Sequence, residues 1–277
     1  MICSGPLFAW NAGGREAGVG KQGPLGKHLA AHYSVLLWDR RNSAGASDIY
    51  LSEVENPMEA DADDLHAIIE QLGLGTGCIA GGSAGCALSL LMAHRYPQNV
   101  TSILAMKPAS TNEEIMGFLA GITWNNLAEK AEIDSMQAVL DLSEASYGKM
   151  KDGSAGQGEN TTAWIARSIE ANPMNRDRLL AINPGKFAAM LRHWGHNTKH
   201  RGSMGGLTDE EIQSIQVPVY IQAGDDLIHP RESGIWLEQQ LPNAEMCNVS
   251  QEGLTTADDW WGKLLPGIDD FLTRTIS

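Results

Sequence analysis

The sequence has few basic residues, few cysteines and no long apolar run. Lysine and arginine together number 20 against 34 aspartates and glutamates, and the net charge is −14. This balance argues against nucleic acid or an anionic membrane surface as a partner. No apolar run reaches the roughly 18 residues that a membrane span needs, and the start lacks a basic segment followed by a long apolar one. We therefore expect a protein that neither spans a membrane nor is exported, and whose partner is a small-molecule substrate.

The four cysteines form no CxxC pair, and most of them lie inside apolar runs. This pattern is typical of buried free thiols rather than of disulfides or zinc ligands, and it favours a reducing cytoplasm as the compartment. The sequence carries no cofactor motif, so we expect neither a metal nor a cofactor. It does not indicate an oligomeric state.

Short apolar or β-branched segments alternate with helical patterns along most of the chain. The segments predict strands at residues 7–10, 34–38, 77–80, 102–106, 217–222 and 244–249. Residues 58–72 carry apolar side chains at helical spacing, and Gly73 after them predicts the end of a helix. The amphipathic run 258–272 predicts a closing helix. The alternation as a whole predicts an α/β fold with a mostly parallel sheet covered on both faces.

The alternation fails between residues 107 and 206, where helical patterns follow one another without a strand. We interpret residues 107–206, called the cap segment below, as a helical cap inserted into one α/β core formed by residues 1–106 and 207–277. The cap segment is not expected to fold as an independent domain. Its tryptophans and methionines are expected to form its core, and any that face a cleft would favour an apolar or aromatic ligand.

Ser83 lies in a G-x-S-x-G sequence at residues 81–85. The predicted strand 77–80 precedes it, and a helix is predicted over Ala84–Arg95. A strand before and a helix after are the context that a nucleophile elbow requires, because its glycines permit a tight turn that lifts the serine clear of the sheet. We therefore interpret Ser83 as a candidate nucleophile.

The order and spacing of the motifs resemble the α/β-hydrolase superfamily over nearly the whole chain except the cap segment. Residues 34–47 read SVLLWDRRNSAGAS, which is similar to the family's strand followed by Asp-x-Arg-Gly-x-Gly-x-Ser and has a structural role there. The resemblance implies an α/β-hydrolase fold with an oxyanion hole formed by the backbone N–H groups of Gly13 and Ala84. It also implies Asp226 as the triad acid, because its spacing to Pro230 matches the family's Asp-x-x-x-Pro.

Members of this family usually have two strands before the strand that leads into the oxyanion loop. Here only residues 1–3 precede the corresponding turn at residues 4–6. Either the chain as given starts late, or the sheet lacks its first N-terminal strands. We expect about six strands where the family usually has eight, with an unpaired edge as the consequence.

The resemblance further implies a catalytic histidine in the loop after the last strand, but no histidine follows His229. The expected position lies between residues 250 and 259, where Leu254 or Thr256 stands in its place. We therefore expect a gap in the catalytic relay, filled by apolar or hydroxyl groups of that loop. A serine without a base loses most of its activation.

Three explanations of the missing histidine stay open. The base comes from elsewhere, the chemistry needs no serine alkoxide, or the fold only binds a ligand. His229, three residues after Asp226, is one candidate base, and His193, His196 and His200 in the cap segment are others.

The sequence as a whole predicts a serine hydrolase that acts on a small ester, a lactone or a C–C bond of an apolar or aromatic substrate. The competing hypothesis is a catalytically silent, ligand-binding member of the same fold.

Overall fold

The structure, a computed structural model, describes residues 7–11, 24–51, 56–200, 204–247, 249 and 257–276. Six strands in this part of the chain form one sheet: β1 (Leu7–Asn11), β2 (Ser34–Leu37), β3 (Gly77–Gly82), β4 (Val100–Met106), β5 (Val219–Gln222) and β6 (Ala244–Met246). The strand order is β2-β1-β3-β4-β5-β6, and every neighbouring pair is parallel. The predicted α/β architecture with a parallel sheet is confirmed. Whether strands precede β1 concerns residues 1–6, which lie outside the described part.

Helices cover the sheet and fill the long connection between β4 and β5. The helices of the core are α1 (Pro24–Leu29), α2 (Pro57–Leu72), α3 (Ala84–Arg95), a 3-10 turn (Pro97–Asn99), α11 (Asp209–Gln213), α12 (Arg231–Gln240) and α13 (Ala257–Thr275). Those of the cap segment are α4 (Glu113–Ala120), a π-helical turn (Gly121–Asn125), α5 (Asn126–Ile133), α6 (Met136–Asp152), α7 (Gln157–Thr162), α8 (Trp164–Ala171), α9 (Met174–Ala181) and α10 (Pro184–Lys199). No described helix is long and apolar enough to cross a membrane.

The two faces of the sheet bury separate apolar clusters. Along β3, Ile79 packs into the cluster that includes α2, α3 and α12, whereas Cys78 and Ala80 pack with α1 and α13 on the other face. This alternation follows from the period of two in a strand. Because both faces are covered, the strand reads as a nearly continuous apolar run, as expected for a buried parallel strand.

Residues at both ends of helix α2 explain where it begins and ends. The side chain of Asn56 accepts a hydrogen bond from the N–H of Met58 at 3.0 Å, and Pro57 occupies the first helical position. Both features are favourable at a helix start. At the other end Gly73 has φ 62°, a left-handed conformation that glycine adopts without steric cost. The predicted helix over residues 58–72 and its stop at Gly73 are thus confirmed.

The described residues of the cap segment form helices and no strand. Most residues of a third buried apolar cluster belong to this segment. Met116, Trp164, Met190 and Trp194 are buried, as expected for residues that form its core, and Trp124 packs partly buried against the same cluster. The cluster also contains residues 44 and 49 of the β2–α2 connection. The cap segment is therefore packed directly on a loop of the core.

Candidate active site

Ser83 occupies the turn between β3 and α3. It is the residue before the first helical position, and its backbone angles are φ 55° and ψ −120°. A positive φ is uncommon for a residue with a side chain, so this is a strained turn. A Cβ atom at position 81 would overlap the carbonyl oxygen of Gly85, which explains why the turn needs glycine there. The predicted strand-turn-helix context of Ser83 is confirmed.

Ala84, one of the two expected oxyanion donors, is the first residue of α3. The first N–H groups of a helix have no acceptor within the helix, so the Ala84 amide is available to an anion beside Ser83. The other expected donor, Gly13, lies outside the described residues.

Asp226 and His229 lie on the loop between β5 and α12. One carboxylate oxygen of Asp226 accepts the backbone N–H groups of Ile228 at 3.0 Å and of His229 at 2.9 Å. The two carboxylate oxygens also lie 2.9 and 3.0 Å from Nδ1 of the His229 imidazole. Residues 226–229 of this loop thus hold a carboxylate and an imidazole in direct contact.

The same imidazole reaches Ser83. Its Nε2 lies 2.8 Å from Ser83 Oγ, across 146 positions of sequence. Because an ionised carboxylate only accepts hydrogen bonds, the contacts assign the Nδ1 proton to the bond with Asp226 and leave Nε2 to accept the serine hydroxyl. This is the arrangement of a nucleophile, a base and an orienting acid.

The prediction of a gap between Ser83 and Asp226 is therefore wrong, because the described residues include an imidazole that contacts both. The family resemblance implies a histidine in the loop after β6, whereas the imidazole beside Ser83 comes from the loop after β5 and belongs to His229, one of the candidate bases named from the sequence. Leu254 and Thr256, which stand where the family's histidine is expected, lie outside the described residues. In the cap segment, the His200 imidazole lies 2.9 Å from a carboxylate oxygen of Glu113 and its ring centroid lies 4.5 Å from that of His196.

The sequence feature that is linked to the position of His229 is Gly224. A Cβ atom at position 224 would overlap the His229 carbonyl oxygen and would lie 2.6 Å from the His229 Cβ atom. Only a residue without a side chain lets the loop fold back this closely. Gly224, Asp226 and His229 lie close together in the sequence, but their spacing does not show how closely the loop folds back on itself.

The side chains of Asp226 and His229 differ in exposure. The Asp226 side chain is 50% exposed and that of His229 is 18% exposed. Partial burial on its own would raise the pKa of Asp226, but the hydrogen bond from the His229 imidazole and those from backbone N–H groups outweigh it. The pKa of Asp226 is therefore lower than usual, and the carboxylate is ionised at neutral pH.

The described residues do not support a metal site, and they form a separate groove that the relay residues do not line. Among the described residues, no group of three or more His, Cys, Asp or Glu side chains is arranged to hold a metal ion. A groove of about 1080 Å³ opens between α2, the β2–α2 connection and helices α9 and α10. Its lining includes Trp38, Ile68 and Ile182 but none of the three residues of the relay.

Comparisons with known proteins agree with the fold. A family model described as alpha/beta hydrolase fold matches residues 13–253. A comparison with curated proteins found no significant match.

Three solved structures are similar over almost their whole length. An alpha/beta hydrolase from Sphaerobacter thermophilus is 21% identical with a TM-score of 0.58, and the match covers 97% of this chain and 93% of that one. An enol-lactonase from Burkholderia xenovorans is 16% identical with a TM-score of 0.58, covering 98% and 92%. A thermophilic esterase from Thermogutta terrifontis is 16% identical with a TM-score of 0.60, covering 99% and 91%. At these identities the likeness concerns the fold.

Proposed function

Because the chain belongs to the α/β-hydrolase fold family, we propose that it is a serine hydrolase with a rearranged triad. Ser83 is the nucleophile, His229 is the general base, and Asp226 orients the imidazole. The observation that carries the proposal is the imidazole of His229, which is hydrogen-bonded to the serine hydroxyl on one side and to the carboxylate on the other.

The proposed chemistry follows from these contacts. As Ser83 Oγ attacks a carbonyl carbon, its proton passes to Nε2 of His229, and the ionised Asp226 stabilises the imidazolium that forms. The negative charge on the carbonyl oxygen is met by the Ala84 N–H and, by resemblance, by that of Gly13. The imidazolium then gives its proton to the leaving group, and a water molecule activated by the same imidazole releases the acyl group from Ser83.

The substrate class we propose is a small ester or lactone, or a C–C bond next to a carbonyl, on an apolar or aromatic molecule. The similar structures described as an esterase and an enol-lactonase support this class. Three free and buried thiols, Cys78, Cys86 and Cys247, support the further proposal that the enzyme works in a reducing cytoplasm.

The test is hydrolysis of a p-nitrophenyl ester by the wild-type protein and by three variants. In His229→Gln we expect kcat/KM to fall by about 10²–10⁴-fold, the usual contribution of a general base. Ser83→Ala should lose both this activity and labelling by a fluorophosphonate probe. The matched control is His32→Gln, which removes an exposed histidine and should behave as the wild type. A folded wild-type protein that neither hydrolyses activated esters nor labels at Ser83 would instead support the ligand-binding alternative.

A further inference from the structure

The chain that leaves β4 is hydrogen-bonded to the nucleophile turn. The carbonyl oxygen of Met106, the last residue of β4, accepts the backbone N–H of Ser83 at 3.0 Å. Strand β4 lies between β3, which ends at the Ser83 turn, and β5, which leads into the loop with the proposed acid and base. The end of β4 is therefore the structural element between the two halves of the relay.

The next residues of the same chain bind the other half. The backbone N–H of Lys107 donates to the carbonyl oxygen of Gln222 at 2.6 Å, at the point where β5 ends. The backbone N–H of Ser110 donates to the carbonyl oxygen of Ile228 at 2.7 Å, one residue before His229. Residues 107 and 110 thus fix the start and the end of the loop that carries the imidazole.

Lys107, within this connection, has an unusual backbone conformation. Its φ is 47°, and in the described part of the chain only Asn42 and Ser83 are other non-glycine residues with positive φ. Such backbone conformations cost free energy and persist where the surroundings over-determine them, often at active sites. Here the left-handed residue turns the chain between the Met106 carbonyl, which faces Ser83, and the Ser110 amide, which faces the base loop.

We propose that Lys107 is a positioning residue whose left-handed backbone sets the distance between Ser83 Oγ and His229 Nε2. The inference rests on the proposed function, in which a proton crosses that distance. It assigns the role to the backbone of Lys107 and not to its ammonium group. It also makes the first residues of the cap segment part of the active-site framework.

The test compares two substitutions that both remove the ammonium group. Asparagine is among the residues that tolerate positive φ, whereas a β-branched residue is a genuine outlier there. Crystal structures of Lys107→Asn and Lys107→Val measure the distance from Ser83 Oγ to His229 Nε2 whether or not the protein is active. We expect it to stay near 2.8 Å in Lys107→Asn and to exceed about 3.5 Å, beyond hydrogen-bonding range, in Lys107→Val.

The kinetic readout is the division of the effect between kcat and KM on the p-nitrophenyl ester. Misplacement of a catalytic group by about 1 Å costs about 10²-fold, so kcat of Lys107→Val should fall by about that factor. KM should stay within about threefold of wild type, because substrate binding is not what the substitution changes. Lys107→Asn should keep at least about half of the wild-type kcat. If Lys107→Val does not fold, Lys107→Thr, which is also β-branched, is compared with Lys107→Asn in the same two measurements.

An unchanged distance in the folded valine or threonine variant overturns the inference, as does an equal loss of kcat in Lys107→Asn. An inactive wild-type protein in which only the valine or threonine variant opens the distance leaves the positioning role intact and overturns the proposed function instead. The two failures are therefore distinguishable.

Discussion

At the scale of single residues, the position of the His229 imidazole beside Ser83 depends on the absence of a side chain at position 224. The loop after β5 folds back so closely that a Cβ atom there would overlap the His229 carbonyl oxygen. Space of this kind leaves no trace in motif spacing. It explains why Ser83 and Asp226 could be identified by their motifs, whereas His229 could be named only as one candidate base.

Gly224→Ala should therefore impair catalysis by displacing His229. We expect kcat on the p-nitrophenyl ester to fall at least about tenfold, since a forced contact next to the base disturbs its alignment. The free energy of unfolding should fall by about 1–3 kcal/mol, as in other overpacked sites. The matched control is Gly148→Ala in α6, where a Cβ atom meets nothing within 4 Å. Wild-type kinetics in Gly224→Ala would show that the loop does not need this glycine.

A second residue-scale prediction concerns Asp61 on α2, a buried carboxylate 3.3 Å from a guanidinium nitrogen of Arg40. Burial raises the pKa of Asp61 to about 6, because the attraction of Arg40 only partly offsets the loss of hydration. The folded protein therefore binds this proton more tightly than the unfolded chain, whose aspartates titrate near 3.9. Stability from this group is greatest below that value and is lost as the pH rises toward about 6.

The variant Asp61→Asn removes this titration. The free energy of unfolding of the wild type minus that of Asp61→Asn should decrease between about pH 4.5 and pH 7, measured by urea denaturation in matched buffers. A difference that increases over the same range would mean that the ion pair with Arg40 outweighs burial.

At the scale of secondary-structure elements, one buried asparagine joins the cap segment to the core. The Asn175 side chain on α9 accepts the backbone N–H of Ile49 at 3.0 Å and donates to the carbonyl of Ser47 at 2.9 Å. It also donates to Ser168 Oγ on α8 at 2.7 Å. Asn175 is fully buried, and these hydrogen bonds give both the oxygen and the nitrogen of its amide a partner.

Asn175→Ala should lower the free energy of unfolding by about 1–3 kcal/mol, the cost of leaving buried polar groups unpaired. Urea denaturation measures the effect, and Asn126→Ala, at an exposed position of α5, serves as the control. A loss at Asn175 no larger than at Asn126 would show that water replaces these hydrogen bonds and that the contact does not hold the cap segment.

The strands and the outer helices of the core could be predicted from the sequence because local pattern determines them. β3 and α2 begin and end within about two residues of the predicted bounds, since apolar runs, an asparagine cap and Gly73 mark them. The seven α-helices described in the cap segment were foreseen only as helical pattern. Their bounds depend on packing against each other and on the core loop at residues 44–49, which periodicity does not encode.

At the scale of the whole molecule, the proposed catalytic groups come from two loops at one edge of the sheet. The nucleophile follows β3, and the acid and base both follow β5, with β4 between them. The family resemblance implies a third loop, after β6, as the source of the base. Contact between residues 83 and 229 depends on the global strand order and on the close approach at Gly224, so the sequence pattern alone could not predict it.

The common origin of Asp226 and His229 has a mechanical consequence. An acid and a base on separate loops can drift apart in several ways, but these two are three residues apart and share hydrogen bonds within one turn. Any rigid shift of that turn carries both groups together, so the imidazole keeps its orientation and its Nδ1 proton. Within the proposed relay, such a shift would change the 2.8 Å contact between His229 Nε2 and Ser83 Oγ. In the proposed mechanism, a movement of the turn would therefore change the alignment of the base with the nucleophile and leave its alignment with the acid unchanged.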